Sequence, residues 1–298
     1  MTRRVVAVSV LAIWVIGLGM LYRRNTIRTP EQQLTEAGLR VSPEAYYYIL
    51  LQGEKQVGAA ASTIDTTTTR IVSVDFVRGA VPVGNDTLRI EARSEARYTR
   101  GMRLQDFLIR ADGDLTPFTL RGLIQEGEAK TLRVTADTKG ERPLTQESGP
   151  EHPVFLPTMA PLPLMLRKAS RVGDSLVVAM YDPVGRTVRN VTLKVQADSL
   201  FLVADSASLD SASGRWVRQR QDSVRGWRLG GASSPITAWV DASGRLVAAS
   251  EPGGISLVRT AFELAFENWR LDNPASAQPA DGIPGRGQRR TPRPRAPR

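Results

Sequence analysis

The stretch Thr87-Leu88-Arg89-Ile90-Glu91-Ala92-Arg93-Ser94-Glu95-Ala96-Arg97-Tyr98 decides the fold. Leu88, Ile90, Ala92, Ala96 and Tyr98 fall on one side of an extended chain. Thr87, Arg89, Glu91, Arg93, Glu95 and Arg97 fall on the other. A period of two with one apolar face is the signature of a strand that is half buried and half in water. The same alternation recurs over Thr131–Asp137 and Asn190–Val195. Over Met102–Arg110 the phase slips between Leu104 and Phe107, which predicts a bulge. Turn signals separate these runs at Gln52-Gly53-Glu54, Arg100-Gly101, Glu126-Gly127-Glu128, Asp182-Pro183-Val184-Gly185 and Ala242-Ser243-Gly244. The expectation is a mainly β body over residues 44–273: a curved antiparallel sheet, or half-barrel, with one or two helices packed on its concave face.

Two segments supply those helices. One follows a proline-rich lead-in and covers Pro161–Arg171, with Leu162, Leu166 and Ala169 as its stripe and Met165 beside them. The other is Arg259–Arg270, whose Phe262, Ala265, Phe266 and Trp269 share a face at helical spacing. Core packing is the plainer role for that aromatic stripe, and a ligand contact the sharper one.

Ahead of the body, Val5–Tyr22 is an apolar run interrupted only by Ser9, with Arg3 and Arg4 before it and Arg23 and Arg24 after it. As a helix, eighteen residues at 1.5 Å each reach about 27 Å, close to the hydrocarbon thickness of a bilayer. Residues 1–30 therefore read as a signal anchor with a transmembrane helix over about 5–22. A cleaved signal peptide is the alternative, against which no good small-x-small site follows the run. Positive charge is similar on the two flanks, so the body's side of the membrane is not set by charge alone. The reading taken is a single-pass protein of the inner membrane with its body in the periplasm or extracytoplasmic space. In the juxtamembrane linker, residues 31–43, Thr29-Pro30-Glu31-Gln32 forms a capping box that opens a short helix, with Gly38 as its stop.

The chain of 298 residues carries a formal net charge of +10, but the excess sits at its ends. Residues 1–30 hold five Arg and no acid, and residues 274–298 hold six Arg and one Asp, which leaves 31–273 with 29 bases and 29 acids. A neutral body argues against a nucleic-acid domain, so no specific nucleic acid is expected. Residues 274–298, rich in Pro, Gly, Ala and Arg, lack the apolar content to fold. They read as a disordered tail, either inert or touching an anionic partner.

Chemistry is sparse. The chain has no Cys and one His, which removes thiolate nucleophiles and Cys-ligated metals, and makes His-rich sites and catalytic triads unexpected. No metal, cofactor or catalytic residue is expected. Glu151-His152 stands alone in an extended loop, and Asp174, Asp182 and Asp241 sit where aspartate caps turns. Arg215–Arg220 and Arg225–Arg228 interleave bases with Trp216 and Trp227, as a base-stacking surface, a surface for lipid headgroups or two amphipathic strand edges.

The order of signals resembles a known pattern. It opens with the hairpin Tyr46-Tyr47-Tyr48-Ile49-Leu50-Leu51-Gln52-Gly53-Glu54-Lys55-Gln56-Val57-Gly58 and passes through Arg171-Val172-Gly173-Asp174-Ser175 and Tyr181-Asp182-Pro183. It closes with Ala238–Leu246 and Gly254–Arg259. It is similar to the non-catalytic β-domain found upstream of bacterial transglutaminase-like domains, and more distantly to the lipid-binding half-barrels of envelope lipoprotein carriers. The resemblance implies the fold and an envelope location. Transglutaminase chemistry needs a Cys and is not implied.

The leading expectation is a non-catalytic envelope protein that binds a lipid or other hydrophobic ligand on the concave face. Tyr46, Tyr48, Leu88, Ile90, Met165, Leu166, Phe262 and Phe266 are the candidate ligand-binding residues. A scaffold module acting through its outer surface and Arg-rich tail is the alternative, and a carboxylate-based hydrolase ranks last.

Overall fold

A computed structural model describes residues 29–273 apart from 84–85, 115, 126–130, 140–141, 168–170, 231–236 and 252. The expected anchor, the tail and the Glu126-Gly127-Glu128 turn lie outside the described residues. Helix α1 (Pro30–Arg40) begins with the capping box read from sequence: Gln32 N donates to Thr29 Oγ1 at 3.2 Å, and Thr29 N donates to Gln32 Oε1 at 3.1 Å. Among the described residues no helix is long and apolar enough to cross a membrane.

The body is one 15-stranded sheet. Its first half is a meander of β1 (Glu44–Gln52), β2 (Lys55–Thr66), β3 (Arg70–Val83), β4 (Asp86–Thr99), β5 (Leu104–Gly113), β6 (Phe118–Gln125), β7 (Thr131–Thr138) and β8 (Leu144–Ser148). Its second half holds β9 (Val154–Phe155), β10 (Ser175–Asp182), β11 (Thr187–Asp210), β12 (Arg215–Gly230), β13 (Thr237–Val240), β14 (Leu246–Ser250) and β15 (Ile255–Thr260). Successive strands pair within each half, all antiparallel except the short β9–β10 ladder, and β8 and β9 are the two edges. The one non-sequential pairing joins β1 to β15, from Tyr47↔Thr260 to Gln52↔Ile255. The expected bulge is present: Tyr98 faces Leu104 while Arg97 faces Asp106, so Gln105 is the extra residue.

The sheet curls so that distant strands face each other across its concave side. Phe107 of β5 packs on Tyr181 of β10 with ring centroids 4.9 Å apart, although ten places separate the two strands in the sheet order. Between them runs the segment from β9 to α2 (Leu162–Met165), whose Phe155, Leu156, Met159 and Leu162 are almost fully buried. Pro153, Pro157, Pro161 and Pro163 deny this segment a ladder or a long helix, so it folds as a plug of turns. Leu156 N donates to Tyr98 Oη at 3.0 Å, which satisfies a backbone donor inside the core. The expected helix over Pro161–Arg171 is thus a single turn on the concave face.

The plug, α1 and the β13–β14 turn close one end of the barrel. Arg40 Nη1 donates to Leu166 O, and Arg100 Nη2 to Leu39 O. Gly244, at φ +79°, lies so near α2 that a Cβ would come 2.9 Å from Leu162 Cα. The β1–β2, β3–β4 and β14–β15 connections lie at the opposite, open end.

The second expected helix is displaced from its predicted place. A π-helical turn (Glu263–Glu267) runs into α3 (Asn268–Asp272) on the convex face. Tyr47 meets Phe262 at 5.1 Å and Phe266 at 6.2 Å, and Phe76 stacks on Phe266 at 6.3 Å. Odd-numbered residues of β1 face outward, and this helix covers them. The long β11–β12 hairpin then folds back over the helix, packing Ala204, Ala207 and Trp216 against Ala261 and Leu264.

Candidate functional site

The concave face has three zones along the strands. At the closed end it is filled by the protein's own side chains, including Ile64, Ile71, Tyr98, Phe107, Leu120 and Tyr181.

Beside that core lies a polar zone. Arg259, on β15, is buried and donates through Nη1 to Asp241 Oδ2 at 2.8 Å, through Nε to Leu246 O at 2.8 Å, and through Nη2 to the same carbonyl. Its Cζ lies 3.9 Å from the centroid of the Tyr46 ring, a stacked cation–π contact. Asp241 Oδ1 accepts from Ser243 N, Ser243 Oγ and Arg245 N, the turn-capping role read from sequence. Asp174 and Asp182 cap their turns in the same way. Burial, helped by the Asp241 carboxylate, raises the Tyr46 phenol above its ordinary range, and burial raises Tyr48, whose Oη donates to Leu246 O. Arg245 is only 4% exposed and its Nη2 has no hydrogen-bond partner among the described residues. It borders a cavity of about 10 Å³, the size of one water, together with Ser42, Glu44 and Ser243. Asp75 accepts from Ser62 Oγ at 2.6 Å, Ser94 Oγ at 3.2 Å and Thr158 Oγ1 at 2.8 Å, so it stitches the plug to β2, β3 and β4.

Toward the open end the face becomes apolar again. Leu50, Val57 and Val81 are buried there, with Ile90, Ile255 and Leu257 half-buried around them. Leu50 Cδ2 lies over the paired Gly58 and Gly79, where added Cβ atoms would meet it at 3.1 and 3.2 Å. The six residues come from five adjacent strands, β15-β1-β2-β3-β4.

The predicted site residues therefore do not converge. Tyr46 and Tyr48 belong to the polar zone. Met165 packs with Leu164, Val195, Leu229 and Val240, and Leu166 against the main core. Ile90 belongs to the open-end patch, and Leu88, paired with Val81, borders it. Phe262 and Phe266 are on the opposite face of the sheet, because the helix they ride on pairs with Tyr47 and not with Tyr46 or Tyr48. Trp216 and Trp227 form no joint stacking platform: Trp216 packs on the C-terminal helix and Trp227 into the interior cluster of Val195 and Leu229. The Arg259–Asp241–Tyr46 arrangement escaped the sequence reading, since its members are separated by turns and strands. Arg259, on a strand of otherwise apolar phase, and Arg245, in the turn just before β14, were the available signal.

Outside the barrel, a groove of about 1730 Å³ runs between α1, the β4–β5 turn and the 150–154 loop. It is lined by Arg70, Arg97, Arg103, Glu31, Asp106 and the exposed His152. Arg103 pairs with Glu31 at 2.6 Å and Arg97 with Asp106 at 3.3 Å, so much of its charge is internally matched.

No protein-family model and no curated protein matches the chain. Among solved structures it is similar to a β-barrel-like protein of the domain of unknown function DUF1849 from Brucella abortus. The TM-score is 0.45 at 10% identity, covering 74% of this chain and 96% of that one. It is also similar to a DUF1089 family protein from Pseudomonas aeruginosa, with a TM-score of 0.34 at 11% identity, covering 65% of this chain and 89% of that one. Neither is described as linked to a transglutaminase.

Proposed function

We propose that the protein is a membrane-tethered, non-catalytic binding module of the bacterial envelope that holds an apolar chain, such as a lipid acyl tail, at the open end of its concave face. One observation carries this reading: Leu50, Val57, Val81, Ile90, Ile255 and Leu257 form an apolar cluster of their own on the inward face, separate from the main core, with Ile90, Ile255 and Leu257 only half-buried. Covering the half-exposed members would remove apolar surface from water at roughly 25 cal/mol per Å². The polar zone next to it sets a limit to how deep a chain enters. The inward carboxylates Asp75 and Asp241 each accept several structural hydrogen bonds, which speaks for a scaffold role over acid–base work. The apolar run Val5–Tyr22 supplies the tether and places the body beside a source of lipid.

Native mass spectrometry of the full chain extracted from bacterial membranes tests the proposal. The expected result is a reproducible lipid adduct that is lost in Leu257→Asp, while lipid bound to the tether persists in both forms. A chain whose adducts are the same with and without Leu257→Asp would overturn it, and the outer surface and tail would become the place to look for partners.

A further inference from the structure

Several large apolar side chains are exposed at the closed end of the barrel. Leu200 and Leu202 are 70% and 71% exposed, and Leu39, Leu123 and Val172 are also exposed. All five belong to one end. Leu39 lies in α1, and Leu123 lies on β6 opposite Asp106 in the groove beside α1. Val172 lies in the lead-in to β10, whose Gly173 N donates to Val195 O. For Leu200 and Leu202 the register decides. β12 last pairs with β13 at Trp227↔Val240, and Val240 leads into the turn that sits on the plug. Asp198 faces Trp227, so Leu200 and Leu202 lie just past that end, where the β11–β12 hairpin leaves the sheet. Exposed Arg40, Arg70 and Arg171 stand at the same end, and none of the three is in a carboxylate ion pair among the described residues.

This is also the end to which the tether leads. Thr29 lies at the mouth of the groove, directly before α1. Only seven residues, 23–29, separate Tyr22 from α1, and they reach at most about 25 Å even when fully extended. An anchored chain therefore cannot carry this end far from the bilayer. Exposed leucines interspersed with arginines match the interfacial layer, where apolar side chains enter the acyl boundary and guanidinium groups meet phosphates.

We propose that the closed end docks on the surface of an anionic phospholipid bilayer, with Leu200 and Leu202 on the hairpin crest and Leu39 on α1 inserted at headgroup depth. The inference rests on the reading of Val5–Tyr22 as a membrane anchor, and it adds an orientation: the plugged end faces the bilayer and the open end faces away.

Because the chain has no cysteine, single-site labelling is clean. An environment-sensitive fluorophore is placed on Leu202→Cys, or on Val184→Cys in the β10–β11 turn at the opposite end. The full chain is reconstituted in phosphatidylcholine vesicles doped with phosphatidylglycerol and a spin-labelled quencher lipid. The expected result is that both proteins float with the vesicles and the Leu202 probe is quenched at least about twofold more than the Val184 probe. Flotation with equal quenching overturns the docking and leaves the anchor standing. That outcome would give this face to a protein partner or a second copy. Failure to float overturns the anchor and the docking together. Leu200→Asp, read from a probe on Leu39→Cys, supplies a second measurement: quenching is expected to fall toward the Val184 level, and unchanged quenching removes the hairpin crest from the contact.

Discussion

Arg245 and Arg259 are neighbours with opposite energetic roles. Arg259 has a carboxylate, a carbonyl and an aromatic face to satisfy it, whereas Arg245 is buried with Nη2 unpartnered among the described residues and its guanidinium 5.8 Å from the Tyr46 ring. Removing one member of a buried, hydrogen-bonded pair strands the other charge, so Arg259→Met is expected to cost about 3–5 kcal/mol in urea unfolding. Arg245→Met removes a buried charge that is in no carboxylate ion pair among the described residues and keeps the aliphatic stem. It is expected to be neutral or stabilising, within about 1 kcal/mol. Equal losses in the two variants would mean that Arg245 has a partner of its own, and the water-sized cavity between it and Glu44 is where to look.

The C-terminal helix and the β11–β12 hairpin hold each other as a clasp. Trp216 N donates to Asn268 Oδ1 at 2.9 Å, Asn268 Nδ2 donates to Trp216 O at 2.8 Å, and Arg215 grips Asp272 with two bonds of 2.7 and 2.8 Å. Asn268→Ala is expected to loosen the clasp by about 1–2 kcal/mol, seen as faster amide exchange over 204–217 with β2–β5 unchanged. The hydrogen bonds from Arg215 hold the Asp272 carboxyl below its ordinary range. A lowered carboxyl value means the contact stabilises above the ordinary carboxylate range and is lost as pH falls through the lowered value. Hairpin protection, taken relative to the intrinsic exchange rate at each pH, should therefore fall in acid and stay flat between neutral and mildly alkaline pH. Much at this scale was legible in the sequence. The alternation of Thr87–Tyr98, the α1 capping box and the stripe of Phe262, Ala265, Phe266 and Trp269 each dictate an element by local chemistry. The face a helix covers was not legible. β1 is apolar from Tyr46 to Leu51 because both of its faces are covered, and a continuous run says nothing about which parity points inward. The candidate site suffered for the same reason: its residues were chosen by parity and stripe, and the curl of the sheet sorted them onto different faces.

At the scale of the whole molecule, the sheet is an open, curled row whose two edges, β8 and β9, are only five residues apart in the chain. The chain between those edges leads into the plug, so the closed end holds the protein's own side chains and the partly buried apolar patch falls at the far end. Gly122→Ala probes how tightly that core is set, since a Cβ there would come 2.0 Å from Phe107 Cε1. Overpacking of this kind is expected to lower stability by about 1–3 kcal/mol, measured by thermal unfolding. The strand order also bears on how the chain finds its fold. Every ladder but one joins strands that follow each other in sequence, so each half can assemble from contacts of short loop length. The β1–β15 ladder alone must close a loop of more than 200 residues, and it has only six residue pairs with which to do so. Refolding should therefore show two early, local phases over 44–148 and 154–260, followed by a slower one in which the halves join along β1 and β15. During that interval both of those strands present bare edges, and it is then, before the barrel exists, that the chain is most exposed to aggregation.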